Sequence, residues 1–496
     1  MTAVRTLFAS IPILTVIYLL PLTAVLGIAF IPAENKKAIK TVSLVFSAAA
    51  FVLSVLLFFA YDYHAGGFQF VERAPWIPAL GVNYFLAVTG INVTLVLLTG
   101  VIILAGVLAS WGVEHRTKEF FILLLTLTTG VFGVFMAYNL FLFFLFYEIA
   151  VLPMYLLIGI WGTGPKEESA MKLTLYLMAG SALIVAGLLG LFFASGLHTF
   201  DMDLLLNVAF PRSFQIAFFP VFFVGFGILA AMWPFHTWSP DGHASAPTAV
   251  SMLHAGVLMK LGAYGCLVVA VWLLPAGARF WLPVVALLTL VNIVYGSLGA
   301  VAQRDLKFIV AYSSVSHMGI VLLGIAAANS VAFSGAVLQM FSHGVMTGLF
   351  FGLVGMVYGR AHTRVVTEMG GLAKVMPALT AFFVLTGLCS LGLPGTSGFV
   401  AELTVFLGAF RTYPKLTVLA ITSIVITAFY VLKLVQTAFF GPLNPRLAGL
   451  KDATLPELAA LTLLMVFILA VGFYPFYIMK VIHSSVLPIA IKLGGA

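Results

Sequence analysis

The sequence predicts an all-α polytopic membrane protein of about fourteen transmembrane helices, and three observations carry that prediction. Of its 496 residues, 62% are hydrophobic and only 8% charged, whereas a soluble protein carries about 25% charged residues. Apolar runs of roughly 20 residues or more, enough to cross a bilayer, follow one another end to end and leave no room for a soluble domain. Most lysines and arginines fall between those runs, where they set topology.

In chain order the spans fall at roughly 9–31, 40–60, 85–111, 119–138, 140–161, 170–196, 214–234, 246–273, 280–303, 307–326, 331–358, 375–411, 415–440 and 455–479. The first is long enough to span and lacks a cleavage context, so no cleavable signal peptide is expected. The turn at Tyr138-Asn139 divides the fourth span from the fifth. Two spans are interrupted. One runs into a polar knot from Trp233 to His243 that contains Pro234 and Pro240; the other carries LGLPGTSG at 391–398. Proline removes a backbone donor, which lipid tolerates only where protein or a water-filled cavity satisfies the freed groups. One break in each half points to an inverted repeat around a midplane ion route, although the halves share too little sequence to establish a repeat by themselves.

Orientation follows from the basic residues. The odd-numbered connections and their flanks hold Lys36, Lys37, Lys40, Arg116, Lys118, Lys166, Lys172, Arg304, Lys307, Arg360, Arg364, Lys374, Arg446 and Lys451. The even-numbered ones hold only Arg73, Arg212, Arg279, Arg411 and Lys415. This bias puts the odd connections in the cytoplasm and both termini outside. The net charge of +8 therefore reflects topology; no basic cluster interleaved with aromatics suggests nucleic acid. Cys266 and Cys389 lie in apolar runs without metal-ligand spacing or a disulfide framework. No phosphate-binding glycine loop and no nucleophile–base pair is present, and the histidines are too few and scattered to suggest haem ligands.

The informative residues are the few ionisable groups inside the spans. Lys260 sits deep in the run after the first break, and an ammonium there costs ~2.5 kcal/mol or more, so such residues usually serve an ion pathway. Glu148 and Glu402 have apolar sequence on both sides. Burial penalises either charged form, bringing lysine and carboxyl alike toward proton exchange. Each also has a structural reading: an ion pair or a permanently protonated acid for Glu148, an ion pair for Lys260, and free amides at a new helix start for Glu402. His317 and His343, inside spans and beside serines, suit proton relay near neutral pH or a plain bond to a carbonyl. His254 lies off the helical face of Lys260. His236 reads as a brace for the break, Lys433 as a relay or a snorkelling lysine, and Arg304, Asp305 and Lys307 as a charged anchor at a span start.

Five motifs in order resemble one family: FFLFYEIAVLPMY at 143–155, PFHTWSPDGHASAPT at 234–248, AGVLMKLGAYG at 255–265, AYSSVSHMG at 311–319 and LPGTSGFVAE at 393–402. The chain is similar, from about residue 93 to 475, to the antiporter-like subunits of NADH–quinone oxidoreductase (respiratory complex I) of the chain M or chain 4 type, relatives of Mrp-type antiporter subunits. The resemblance implies N-terminal helices at 1–118, two inverted five-helix repeats at 119–273 and 280–440 with breaks near 234–243 and 391–398, and a last helix and tail at 441–496. It implies a hydrated midplane axis in which Glu148, Lys260, His317, His343 and Glu402 transfer protons, with Lys172, His236, His254 and Lys307 as candidate partners. It implies neighbouring antiporter-like subunits and other membrane subunits as partners in a prokaryotic inner membrane. No cofactor is expected in this chain; NAD, flavin, iron–sulfur clusters and the quinone site belong to partner subunits, whose redox chemistry would drive proton translocation.

Two positions depart from the family pattern. Leu229 stands where the family usually has the break lysine that pairs with the glutamate at Glu148, and Phe308 replaces an arginine after Lys307. Glu148 then either stays protonated or takes Lys172 or a histidine as its partner, and Lys172 is the expected cation. Other readings are a cation/proton antiporter subunit of an Mrp-type or membrane-bound hydrogenase complex, a membrane spacer that lost transport, and an independent solute transporter, for which no mixed polar and aromatic site is visible.

Overall fold

The computed structural model describes residues 2–495. A short α1 (Thr2–Ser10) leads to α2 (Ile13–Phe30) and α3 (Lys36–Ala60), then to a hairpin of β1 (Gln69–Ile77) and β2 (Val82–Val88). There follow α4 (Gly90–Ala109), α5 (Thr117–Met136), α6 (Leu140–Trp161), α7 (Lys166–Ser195), a single turn α8 (Met202–Leu205) and α9 (Arg212–Leu229). The knot after α9 folds into α10 (Trp238–Ser245). The next span is continuous over Thr248–Val271 and comprises α11 (Thr248–Leu253), a π-turn, α12 (Met259–Gly265) and a second π-turn. The second half holds α13 (Pro275–Ala302), α14 (Leu306–Ala326), α15 (Ser330–Ala361), α16 (Pro377–Ser390), α17 (Ser397–Thr412) and α18 (Pro414–Phe439). The chain closes with α19 (Leu455–Phe473) and α20 (Phe476–Lys492).

Thirteen of the described helices, counting Thr248–Val271 as one, are long and apolar enough to cross a membrane; α16 and α17 together make the broken fourteenth span. The all-α polytopic architecture predicted from sequence is therefore the observed one, with three local differences. The hairpin was not anticipated. It turns at Gly81, whose φ of 62° suits glycine, and it delays the third span until Thr89 and Asn92 cap α4. The first span starts at Ile13 because Pro12 separates it from α1. The last span stops at Phe473, just before Pro475, and the tail becomes α20. That helix lies across one face of the bundle: Ser485 meets Tyr61 and the Gly90 amide, and Lys492 donates to the Leu206 carbonyl.

The connections sort by parity. On one face Lys118 donates to the carbonyls of Ala29 and Ile31, Trp161 to His115, and Arg360 to Lys451, while Arg364 pairs with Asp305. There too Lys40 and Lys36 donate to Glu114 at 2.6 and 2.9 Å, and they hold its exposed carboxyl down at about 2. On the other face Arg73 and Asn83 reach Asp201, Asn329 reaches Thr412, and Arg5 pairs with Asp62.

Burial is graded across the bundle. The central stretches of Thr248–Val271 and Ser330–Ala361 are wholly enclosed by protein, whereas those of α2, α3 and α19 are mostly not buried. Polar residues on the central pair therefore face protein instead of lipid. Close approach of this pair depends on Gly256 and Gly344. A Cβ on Gly344 would lie 2.5 Å from the Gly256 carbonyl oxygen, so only small residues let the two backbones meet there.

Candidate functional site

That crossing brings Lys260 to His343. Lys260 is fully buried, on the helical segment between the two π-turns at His254–Leu258 and Cys266–Val271. Single π-turns inside α-helices are frequent at functional sites. Lys260 Nζ donates to the Ala255 carbonyl and is hydrogen-bonded at 2.8 Å to His343 Nδ1. The His343 ring lies 5.3 Å from that of His317, centroid to centroid, at an interplanar angle of 30°. His317 Nδ1 is 2.9 Å from Glu402 Oε1, and its Nε2 is 3.3 Å from the Ser390 hydroxyl. Gln339 Nε2 donates to the same Glu402 oxygen at 3.3 Å.

Four sequence-predicted residues thus stand in one line, Lys260–His343–His317–Glu402, all buried. Glu402 sits on the first turns of α17, just past the second break; Ser390 is the last residue of α16, just before it. Tyr430 donates to Ser313 at 2.8 Å from α18.

On the other side of Lys260 lie two more imidazoles. The His243 and His254 rings are 4.3 Å apart, and Trp238 stacks on His254 at 5.2 Å. His243 Nε2 meets Met259 Sδ, while its Nδ1, both nitrogens of His254 and Nε2 of His343 have no protein hydrogen-bond partner. An unpaired buried polar atom costs about 1–3 kcal/mol unless an ordered water satisfies it. Beyond them Lys307 Nζ donates to the Ala246 carbonyl at 2.5 Å and Arg364 to that of Ala244 at 2.6 Å. Two cations thus sit at the C-terminal end of α10, where the helix dipole is negative. Lys307 is buried there, so it is more than a surface anchor.

The first half is arranged differently from expectation. Glu148 is only partly buried and accepts a hydrogen bond from Ser181 Oγ at 2.5 Å. Lys172 is not its partner: Lys172 Nζ lies 2.7 Å from Asp241 Oδ2, and among the described residues Glu148 forms no ion pair. The reason is position, since Lys172 lies two turns before Ser181 on α7 and points to α10. Leu229 is buried at the end of α9 and offers no charge. His236 is buried with both ring nitrogens unpartnered by protein and its ring edge-on to Tyr295 at 4.9 Å. The break is braced instead by Asn292, whose Oδ1 accepts from the Trp233 amide and whose Nδ2 donates to Ala231 and Val315.

Sequence reasoning missed Gln339, Ser390, His243 and Asn292 as parts of this site. Gln339 had a signal: it precedes His343 by four residues and so shares its helical face. An asparagine alone in an apolar span, as Asn292 is, signals a partner in another helix.

A bundle of buried and broken helices threaded by a lysine–histidine–glutamate line defines an antiporter-like subunit of a membrane complex. The chain belongs to the NADH:quinone oxidoreductase/Mrp antiporter transmembrane family, whose model matches residues 137–427. It is 41% identical over 474 residues to NAD(P)H-quinone oxidoreductase chain 4 1 of Synechococcus elongatus, covering 94% of this chain and 89% of that one. It is 40% identical to chain 4 2 of Thermosynechococcus vestitus, with 98% and 93% covered. Among solved structures, a chain of respiratory complex I from Thermus thermophilus superposes with a TM-score of 0.90 at 28% identity, covering 98% of this chain and 100% of that one. A chain of the Mrp complex from Dietzia shares the fold, with a TM-score of 0.83 at 20% identity, over 99% and 98% of the two chains.

Proposed function

We propose that this chain is a proton-translocating membrane subunit of an NAD(P)H–quinone oxidoreductase, and that the line Lys260–His343–His317–Glu402 is its proton wire. The observation that carries this reading is the contact of Lys260 Nζ with His343 Nδ1 in a wholly enclosed site. A direct contact with an imidazole nitrogen offers the ammonium a proton acceptor that lipid does not.

In the forward step the Lys260 ammonium gives a proton to His343 Nδ1, and His343 releases one from Nε2. The Nε2 of His317, beside Ser390, receives it through bridging water, and His317 passes its Nδ1 proton to the Glu402 carboxylate. Lys260, left neutral, regains a proton from the side of His254 and His243. Glu148, held by Ser181 in the middle of α6, stands off the wire in the first half, and His236 and Lys307 tune the field around the break. Residues 119–273 and 280–440 each supply one broken helix to the path.

Redox chemistry, with NAD, flavin, iron–sulfur clusters and quinone, is assigned to partner subunits, making this chain a non-redox part of the enzyme. The names of relatives at about 40% identity support an oxidoreductase over an Mrp-type or hydrogenase-type antiporter subunit, whose solved example supports the fold alone. The membrane proposed is the prokaryotic inner membrane, with the basic face toward the cytoplasm.

The test is Lys260→Ala in the intact assembly, with quinone reduction and the proton gradient measured together in vesicles. Proton pumping is expected to fall at least tenfold, and coupled turnover with it. Wild-type values for both would end the wire proposal, and a gradient collapsed by a sodium ionophore but not by a protonophore would move the chain to the sodium-transporting class.

A further inference from the structure

A second polar feature lies outside the axis. Between the end of α13 and the last turns of α18, on the basic face, opens a cavity of about 540 Å³ whose walls include Gln303, Arg304, Phe429, Tyr430, Lys433 and Leu434. Lys433 is exposed and stands six residues before the end of α18, about 9 Å below it along the axis. Its ammonium lies 5.6 Å from the Phe429 ring centroid and has no carboxylate partner among the described residues. Arg304 is exposed and likewise makes no side-chain ion pair or hydrogen bond among the described residues. The carboxylate nearest in sequence, Asp305, is already taken by Arg364 at 3.0 Å and by the Lys307 amide.

The cavity walls therefore carry two full positive charges and no acid. The partial negative charge at a helix C-terminus is about half a unit and leaves the site cationic. Gln303 and Arg304 line it from the end of α13; α18 supplies exposed Phe429 and Lys433, one turn apart, and behind them buried Tyr430 and Leu434. This mixture, at the level where a span ends, fits an amphiphile with a negative head.

We propose that this cavity is a binding site for an anionic phospholipid, with the phosphate between Arg304 and Lys433 and the first acyl carbons along Phe429 and Leu434. Basic pockets between transmembrane helices on the cytoplasmic side are suited to such headgroups. The size is within the range of a small-molecule site. Lys433 thereby acquires a role that proton transfer does not require, since nothing on the wire touches it.

The intact assembly in phosphatidylcholine nanodiscs, doped with a photoactivatable phosphatidylglycerol, tests the site by crosslinking to the peptide around 429–437 and by competition with unlabelled phosphatidylglycerol. The Arg304→Gln/Lys433→Gln variant is expected to need about thirty-fold more phosphatidylglycerol for half-maximal labelling, from roughly one phosphate attraction lost per cation. Lys433→Arg, which keeps the charge, should label like the wild type, and quinone reduction reports that each assembly is intact. Equal labelling of wild type and the double variant would overturn the proposal. So would displacement by millimolar inorganic phosphate, which marks a free-anion site, or labelling only in the isolated chain, which marks a protein partner in the cavity.

Discussion

His317 has one nitrogen on Glu402 and the other on Ser390, and this two-sided placement is what a relay needs. Remove the imidazole and, among the described residues, Glu402 keeps Gln339 as its hydrogen-bond donor, which cannot carry a proton. His317→Ala should therefore lower proton pumping at least tenfold. In the proposed wire His317 and Glu402 act in series, so the double variant His317→Ala/Glu402→Gln should pump no worse than the poorer single one, by vesicle acidification in a double-mutant cycle. Additive losses would mean two separate routes. Glu148 stands apart: it is partly exposed, bonded to Ser181, and without a cation partner among the described residues. Glu148→Gln keeps that bond's geometry and should cost less pumping than Lys260→Ala in the same assay. At this scale the sequence was readable where a charge stood in an apolar run, as at Lys260 and Glu402. It was unreadable where partnership depends on which way a long side chain turns: Lys172 reaches Asp241 because α10 packs beside its turn of α7, a fact no spacing contains.

Among elements, the first break shows how an interrupted helix survives in the bilayer. The turn after α9 exposes the Trp233 amide and the Ala231 carbonyl, and Asn292 of α13 answers both while also reaching Val315 of α14. One side chain thus ties three elements. Asn292→Leu would leave these groups buried and unpaired, at about 1–3 kcal/mol each. A lowering of the thermal midpoint of the purified assembly by several degrees is expected, and an unchanged midpoint would show that other groups hold the break. Both breaks were legible from proline and glycine in the middle of apolar runs. The hairpin at Gln69–Val88 was not, because a nine-residue strand with mostly exposed side chains carries no burial pattern to separate it from a loop. Nor were the π-turns beside Lys260, which leave no composition signal.

For the molecule as a whole, alternation of the connections is the strongest constraint. Every helix that crosses reverses the chain, so hydrogen bonds between odd connections and between even ones are allowed, while odd-to-even bonds are not. The bonds obey this: Lys118 to Ile31, Trp161 to His115 and Arg364 to Asp305 on one face, Arg73 to Asp201 and Asn329 to Thr412 on the other. Arg5 with Asp62 and Lys492 with Leu206 bring both ends of the described chain to the second face. The charge bias seen in the sequence therefore describes two real surfaces, and the basic one is predicted to face the cytoplasm. Both native cysteines are buried, so introduced ones can be read against a low background. In inverted and right-side-out vesicles, cysteines replacing Glu34 and Glu167 should react with a membrane-impermeant maleimide from the cytoplasmic side only. Those replacing Asn207 and Lys415 should react only from the opposite side. Reversed labelling of all four would leave the fold intact but turn the proposed direction of proton uptake around. Mixed labelling within one parity would contradict the alternation on which both the bundle and the placement of its wire depend.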